Sequence, residues 1–405
     1  MNTEHTPGRS RTEPIGYGVI GTGMMGVEHI HNINAIDGAD VVAVSDPAGH
    51  SLATGLEAAG SQPSADGNGR SAVKAMASSS RTVSGFSDHR ELLAHPTVDA
   101  VVIASPNFTH REILADVLSA GVHVLIEKPM CTTTADCLRV IDQVAATAPS
   151  FPQRVVQVGL EYRYMPPVAR LLAELATGSI GTPRMVAIRE HRFPFLHKVD
   201  NWNRFSANTG GTLVEKCCHF FDLMNLILGE RPTRVMASGA QDVNHLDELY
   251  DGRPADVLDN AYVIVDYPSG ARAMLDLCMF AEATHNQEEI SVVADRGKVE
   301  ALIPEGLFRL GRRGEHGIGD VIQEAVADDH IAYAGLHHGS SYLEHLDFVA
   351  AIHGERPVPV TVEDGLWSVA MGEAAHRSID EGRPIEMSEV LVSARKPSAT
   401  EETVR

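Results

Sequence analysis

A chain of 405 residues, 43% of them hydrophobic, is longer than one core usually serves, so two domains are expected. Its formal net charge of −21 repels polyanions, which excludes nucleic acid and anionic membranes as main partners, and no apolar run approaches the roughly 18 residues of a membrane span. Cys131, Cys137, Cys217, Cys218 and Cys278 form no CxxC pair, which argues against a disulfide framework or a structural zinc site.

Residues 1–14 are polar and lack the apolar core of a secretion signal; they read as a disordered leader, and the cytoplasm is the expected compartment. From 15 to 160, short apolar runs at 17–20, 41–45, 98–104, 122–126 and 155–158 alternate with helical periods at 24–36, 109–120 and 133–146. The runs are continuous rather than alternating, as strands covered on both faces should be, and repeated strand–helix–strand units predict a doubly wound parallel sheet. The Ser/Gly/Ala-rich stretch 60–81 interrupts this rhythm and reads as a surface insertion. Beyond 160, runs at 185–188, 234–238, 261–265, 271–277 and 290–293 succeed one another with few helices between them, and Pro268-Ser269-Gly270 reads as a hairpin turn. This predicts a second α/β domain over 161–390 with a mainly antiparallel sheet, followed by a tail, 391–405. Its main helix is expected over 211–228, stopped by Gly229, with further helices near 341–352 and 362–379.

The first strand runs into Gly21-Thr-Gly23-Met24-Met25-Gly26, which opens the first helix. In that setting Gly21 permits the turn, Gly23 lets the backbone approach a pyrophosphate, and Gly26 lets helix and strand pack closely. Asp46 ends the second strand 25 residues after Gly21, where a carboxylate can accept hydrogen bonds from adenosine ribose hydroxyls and would repel a 2′-phosphate. Together they predict NAD as cofactor, in preference to NADP. Lys128, in Glu127-Lys128-Pro129, lies at the carboxyl end of a strand, where ligands of open α/β sheets bind. Glu215 and His219 are spaced i, i+4 on the main helix of the second half, with Asp222 one turn on, so that a carboxylate and an imidazole share one face, as acid–base work near neutral pH requires. An ordinary surface Glu–His pair would look the same. Cys217, Cys218 and His219 point about 100° apart and cannot close on one metal ion without partners elsewhere.

Taken in order, GTGMMG (21–26), ASPNFTH (104–110), LIEKPM (125–130), EYRYMP (161–166), GSIGTP (178–183), GGTLVEKCCHFFDL (210–223) and SSYLEHLDFVAAI (340–352) resemble the Gfo/Idh/MocA oxidoreductase family across nearly the whole chain. The resemblance implies a Rossmann domain followed by an α/β domain with a large open sheet that commonly packs on another subunit, hence a homodimer or homotetramer. It implies an enzyme, inositol-2-dehydrogenase-like, acting on a small polyhydroxylated substrate. Lys128 would touch substrate and nicotinamide, His219 would be the general acid/base, and Glu215 would bind a substrate hydroxyl; the family often has Asp at this last position. Ser105, Asn107, His110 and Glu127 are expected near the cofactor with the glycine loop. Arg163, Tyr164, Trp202 and Tyr342 are expected near the substrate. Two alternatives stay open at this point: a redox-cycling enzyme with tightly bound NAD(P), and a non-catalytic nucleotide-sensing regulator.

Overall fold

The computed structural model describes residues 14–60, 82–314 and 317–396. The expected leader, apart from Pro14, and all but Gly60 of the expected insertion lie outside them.

The N-terminal sheet has six parallel strands, β1 (Ile15–Ile20), β2 (Ala39–Ser45), β3 (Ser84–Phe86), β4 (Ala100–Ile103), β5 (His123–Glu127) and β6 (Val156–Gly159), in the order β3-β2-β1-β4-β5-β6. They alternate with helices α1 (Met24–Asn34), α2 (Gly49–Gly60), α3 (His89–Leu93), α4 (His110–Ala120) and α5 (Thr134–Thr147). Both faces are covered, which explains the unbroken apolar runs. Ala100, Val102 and Leu125 join one cluster with Tyr17, Ile30 and Ile33, while Val101, Ile103, Val124 and Ile126 join another with Leu114, Val117 and Leu118. The sequence reading missed β3, α2 and α3, since three residues make no periodic signal and α2 (GHSLATGLEAAG) is built largely of small residues.

The second half contributes helix α6 (Pro166–Ala176) and a nine-stranded sheet. Its strands are β7 (Pro183–His191), β8 (Arg234–Ala240), β11 (Asn260–Asp266), β12 (Arg272–Cys278), β13 (Glu288–Ala294), β14 (Gly297–Ile303), β15 (Leu307–Arg312), β16 (Ile322–Ala325) and β17 (Ile385–Glu386); β9 (Leu249–Tyr250) and β10 (Arg253–Pro254) form a separate pair. The order is β16-β15-β14-β13-β7-β12-β11-β8-β17, and every pairing is antiparallel except β7 with β12. Ala261, Val263, Val265, Leu275 and Leu277 turn inward onto Phe220, Phe221 and Leu223, while Tyr262, Ile264 and Met274 stand exposed on the opposite face.

The helix expected over 211–228 is two helices, α8 (Thr212–Glu215) and α9 (Cys218–Leu228), preceded by the short α7 (Ser206–Thr209). The last helices are α10 (Ser340–Ile352), α11 (Val362–Glu381) and α12 (Met387–Ala394). Two of them return to the first sheet. Tyr342 and Phe348 of α10 complete the cluster around Tyr17, and Leu366 and Val369 of α11 complete the other.

Candidate active site

At the carboxyl end of β1 the chain turns with Gly21 at φ +87°, where a Cβ would lie 2.6 Å from the Ser105 amide. A Cβ on Gly26 would lie 1.9 Å from the Gly21 carbonyl oxygen, so only glycine lets α1 sit this close to the strand. Gly23 has nothing within 4 Å of where a Cβ would be, and as N-cap it puts no side chain on the first turn of α1. Open space and uncapped N–H groups at a helix start fit a pyrophosphate. Asp46 flanks the loop: its Oδ2 accepts from the Thr22 amide at 2.9 Å and its Oδ1 from the Ala48 amide at 2.8 Å. The Thr22 hydroxyl also lies 3.3 Å from Oδ2, which leaves Oδ1 as the oxygen with room for a further bond, as a ribose hydroxyl would need. Asn107 is buried, and its Nδ2 has no partner among the described residues. These features fit a dinucleotide.

Lys128 follows β5. Its Nζ donates to the Glu215 backbone carbonyl at 3.3 Å. In a continuous helix that carbonyl would accept from the His219 amide; here Lys128 and the Cys218 thiol, at 3.6 Å, share it. These contacts sit at the break between Glu215 and Cys218. Burial works against the charge on Lys128, but Cys218, Glu127, Glu215 and Glu161 outweigh it and raise the lysine's pKa. Burial raises the Glu215 pKa against the pull of Lys128, Lys198, Arg204 and Arg192, and its Oε2 has no partner among the described residues. Burial and the cations Lys128 and Lys216 hold His219 well below 6.5, so the imidazole is neutral. Its ring stacks on Tyr162 with centroids 4.0 Å apart.

Other residues singled out in the sequence have different surroundings. Glu127 accepts from His29 at 2.8 Å and from the Lys128 amide at 3.0 Å, which fixes the turn that carries the lysine. Both ring nitrogens of His110 sit against carbonyl oxygens, Pro129 at 2.9 Å and Ser105 at 3.0 Å, so this side chain ties the two loops together and has no ring nitrogen left for a cofactor. Ser105 Oγ shares a hydrogen bond with Thr109 at 2.7 Å, and Met24 is exposed beside the loop with Met25 half-buried. Arg163 turns into a buried ion pair with Asp222, so Asp222 does not belong to the face of Glu215 and His219. Tyr164 packs into the cluster of α4 and α5, and Tyr342 is a core residue 7% exposed. Trp202 rests edge-on against Phe108, centroids 6.3 Å apart, beside the loop after β4. Side chains unremarked in the sequence complete the site: Glu161, His337 and Lys198 all lie close enough for their charges to act on Lys128, His219 or Glu215. Glu161 could have been found by the rule that singled out Lys128, since it lies just past a strand's carboxyl end.

A dinucleotide cradle beside a charged lysine and a neutral, buried imidazole defines a nicotinamide-dependent oxidoreductase. The model described as oxidoreductase family, NAD-binding Rossmann fold, matches residues 15–148, and that of the family's C-terminal alpha/beta domain matches 173–387. The chain belongs to the Gfo/Idh/MocA oxidoreductase family, and its cofactor is NAD. It is 26% identical over 377 residues to the myo-inositol 2-dehydrogenase of Thermotoga maritima, covering 92% of this chain and 99% of that one. It is 28% identical over 374 residues to inositol 2-dehydrogenase 1 of Saccharopolyspora erythraea, covering 91% and 95%. Among solved structures, a probable dehydrogenase from Thermotoga maritima superposes with a TM-score of 0.69 at 25% identity, covering 93% of this chain and all of that one. Levoglucosan dehydrogenase with NADH and levoglucosan has the same fold, with a TM-score of 0.76 at 18% identity, covering 92% and 99%. Among the described residues no helix is long and apolar enough to cross a membrane, and no group of His, Cys, Asp and Glu could hold a metal ion.

Proposed function

We propose that the protein oxidises a secondary ring hydroxyl of a cyclitol of the inositol type, or of a sugar, to a ketone, or runs the reverse reduction. The observation that carries this reading is the meeting of Lys128 with the α8–α9 junction through the Glu215 carbonyl, 3.3 Å from Nζ. The names of the relatives support the substrate class. NAD, when bound, supplies the hydride acceptor. The Gly21–Gly26 loop would hold its pyrophosphate and Asp46 its adenosine ribose.

Lys128 keeps two N–H groups beyond the one given to Glu215 and donates to the substrate oxygen as negative charge develops there. His219, neutral at assay pH, accepts the hydroxyl proton. The Glu215 carboxyl, with Oε2 unpartnered among the described residues, holds a neighbouring hydroxyl and orients the ring. Purified protein with NAD or NADP and a panel of inositols, hexoses, pentoses, aminosugars and anhydrosugars should form NADH with one or a few compounds. His219→Asn should lower that rate by about 10²–10⁴-fold. Unchanged turnover in this variant would remove the histidine from the reaction. Silence across the whole panel, with NAD copurifying, would favour a redox-cycling or regulatory role instead.

A further inference from the structure

Between β16 and α10 the chain is tied to α1. Glu28, two residues past Gly26, is buried. Its Oε1 accepts from the Leu336 amide at 3.0 Å and its Oε2 from the Tyr333 hydroxyl at 3.4 Å. Gly335 has φ +53°, and a Cβ there would lie 1.7 Å from Glu28 Oε1, so only glycine lets the chain pass this close. On the other side, the Ser340 amide and hydroxyl donate to the His337 carbonyl at 3.0 and 2.8 Å. The backbone of His337 is thus held from both directions.

Its side chain is turned toward the chemistry. Nδ1 lies 3.8 Å from Glu161 Oε1, the oxygen that His219 Nε2 faces at 3.7 Å. The ring centroid is 6.4 Å from that of Tyr162, on which His219 stacks. The charge of Lys128 reaches it as well. Of the two ring nitrogens, Nδ1 is buried without a hydrogen-bond partner among the described residues, and Nε2 is the open one. The side chain is 26% exposed, yet burial holds the imidazole down at about 3 against the pull of Glu127. An accessible atom on so poorly hydrated a ring looks into a recess, not onto the outer surface. His219 divides in the same way, with Nδ1 buried and Nε2 less so.

We propose that His337 is a specificity-determining residue: its Nε2 accepts a hydrogen bond from a ring hydroxyl of the bound polyol, other than the hydroxyl that His219 deprotonates. The inference rests on the function proposed above and adds a contact to it. The gap of 3.8 Å to Glu161 is too long for a hydrogen bond, so the carboxyl acts on Nδ1 as a facing dipole or charge. A carboxyl keeps an acceptor oxygen in either protonation state, and it favours the neutral tautomer with its proton on Nδ1. Nε2 is then a lone pair, which takes a hydroxyl donor and offers nothing to a carbonyl or an ether oxygen. The site therefore requires a free hydroxyl at one ring position, and a substrate deoxygenated or O-methylated there loses the contact.

The test is a cycle between protein and substrate. The compound that gives turnover with NAD, and its analogues deoxygenated singly away from the reacting carbon, are assayed with wild type, His337→Phe and His337→Gln. In wild type one analogue should lose about 10- to 100-fold in kcat/KM, the cost of leaving a desolvated acceptor unpaired. In His337→Phe the parent compound and that analogue should be turned over within about twofold of each other, while the penalties of the other analogues and the affinity for NAD keep their wild-type values. Glutamine, whose amide reaches the place of Nε2, should restore part of the discrimination. The same penalties for every analogue in wild type and His337→Phe would overturn the proposal, as would a loss of NAD affinity in place of discrimination. Nitrogen-15 spectroscopy separates the contact from the reaction and needs no variant: in the wild-type NADH complex, the His337 Nε2 resonance should move when the polyol is added. Movement with a compound that is never turned over would support the contact and sink the proposed reaction. Turnover without movement would do the reverse, and a panel that gives neither would sink both.

Discussion

Arg163 was expected at the substrate, and its surroundings predict a different phenotype. Its Nε donates to Asp222 at 2.6 Å, Nη2 pairs with both Asp222 and Asp364, the latter at 3.4 Å, and Nη1 donates to the Pro359 carbonyl at 2.9 Å. The Asp222 side chain is 2% exposed, so Arg163→Met leaves a carboxylate buried without its partner. Breaking a buried pair from one side costs about 3–5 kcal/mol. Asp364 keeps Arg231 at 3.0 Å and adds little to the loss. At about 2.1 cal/mol/K per residue, a chain of 405 residues shifts by about 1.2 °C per kcal/mol, so Tm should fall by roughly 4–6 °C. Burial already raises the Asp222 pKa in the presence of Arg163 and should raise it further without, so the loss should be smaller at pH 5 than at pH 8. Substituting leucine for Asp222 as well should restore most of the stability, because a buried pair replaced from both sides by apolar groups is often neutral. Thermal denaturation at both pH values, alongside KM for the substrate, makes the comparison. An Arg163→Met protein of near wild-type Tm with a greatly raised KM would refute this reasoning and return the arginine to the substrate.

Three further outcomes are expected. Asp46→Ala should weaken NAD binding by roughly ten- to a hundredfold, in line with about 1.5–3 kcal/mol for hydrogen bonds to a charged group, and should narrow the preference over NADP; fluorescence titration with both nucleotides reads this, and an unchanged NAD affinity would contradict it. Lys216→Met should cost about 3–5 kcal/mol at pH 8 and much less at pH 5. Burial already raises Glu190 to about 7, and without the ammonium it must stay protonated; equal losses by urea denaturation at the two pH values would argue against this pairing. Glu127 is held down at about 2, against burial, by the His29 hydrogen bond and charge and by Lys128. Its contribution is therefore present above 4.5 and lost as pH falls toward 2, and Glu127→Gln should flatten the acid side of the stability–pH curve. An acid limb as steep as that of wild type would point to another group.

Five strands of the N-terminal sheet were legible because both of its faces are covered, so that each of them is a continuous apolar run, and the glycine loop because close packing falls on Gly21 and Gly26 and the approach of a pyrophosphate on Gly23. The break between α8 and α9 left no local trace; the group that meets the Glu215 carbonyl there, Lys128, lies 87 residues earlier in the chain. Arg163 and Tyr342 have the residue types of a sugar site, yet a remote carboxylate claims one and a returning helix buries the other in the first sheet's core. Lys128 and Glu161 follow neighbouring strands by the same topological logic; only the glycines upstream and the EKP motif drew attention to the first.

The most direct test of hydride transfer is to follow deuterium from the ring carbon of the compound that gives turnover, using the C-deuterated inositol or sugar with NAD. Label recovered in the reduced cofactor, with a slowed rate, is the predicted result, and unlabelled NADH with the deuterium released to water would contradict it.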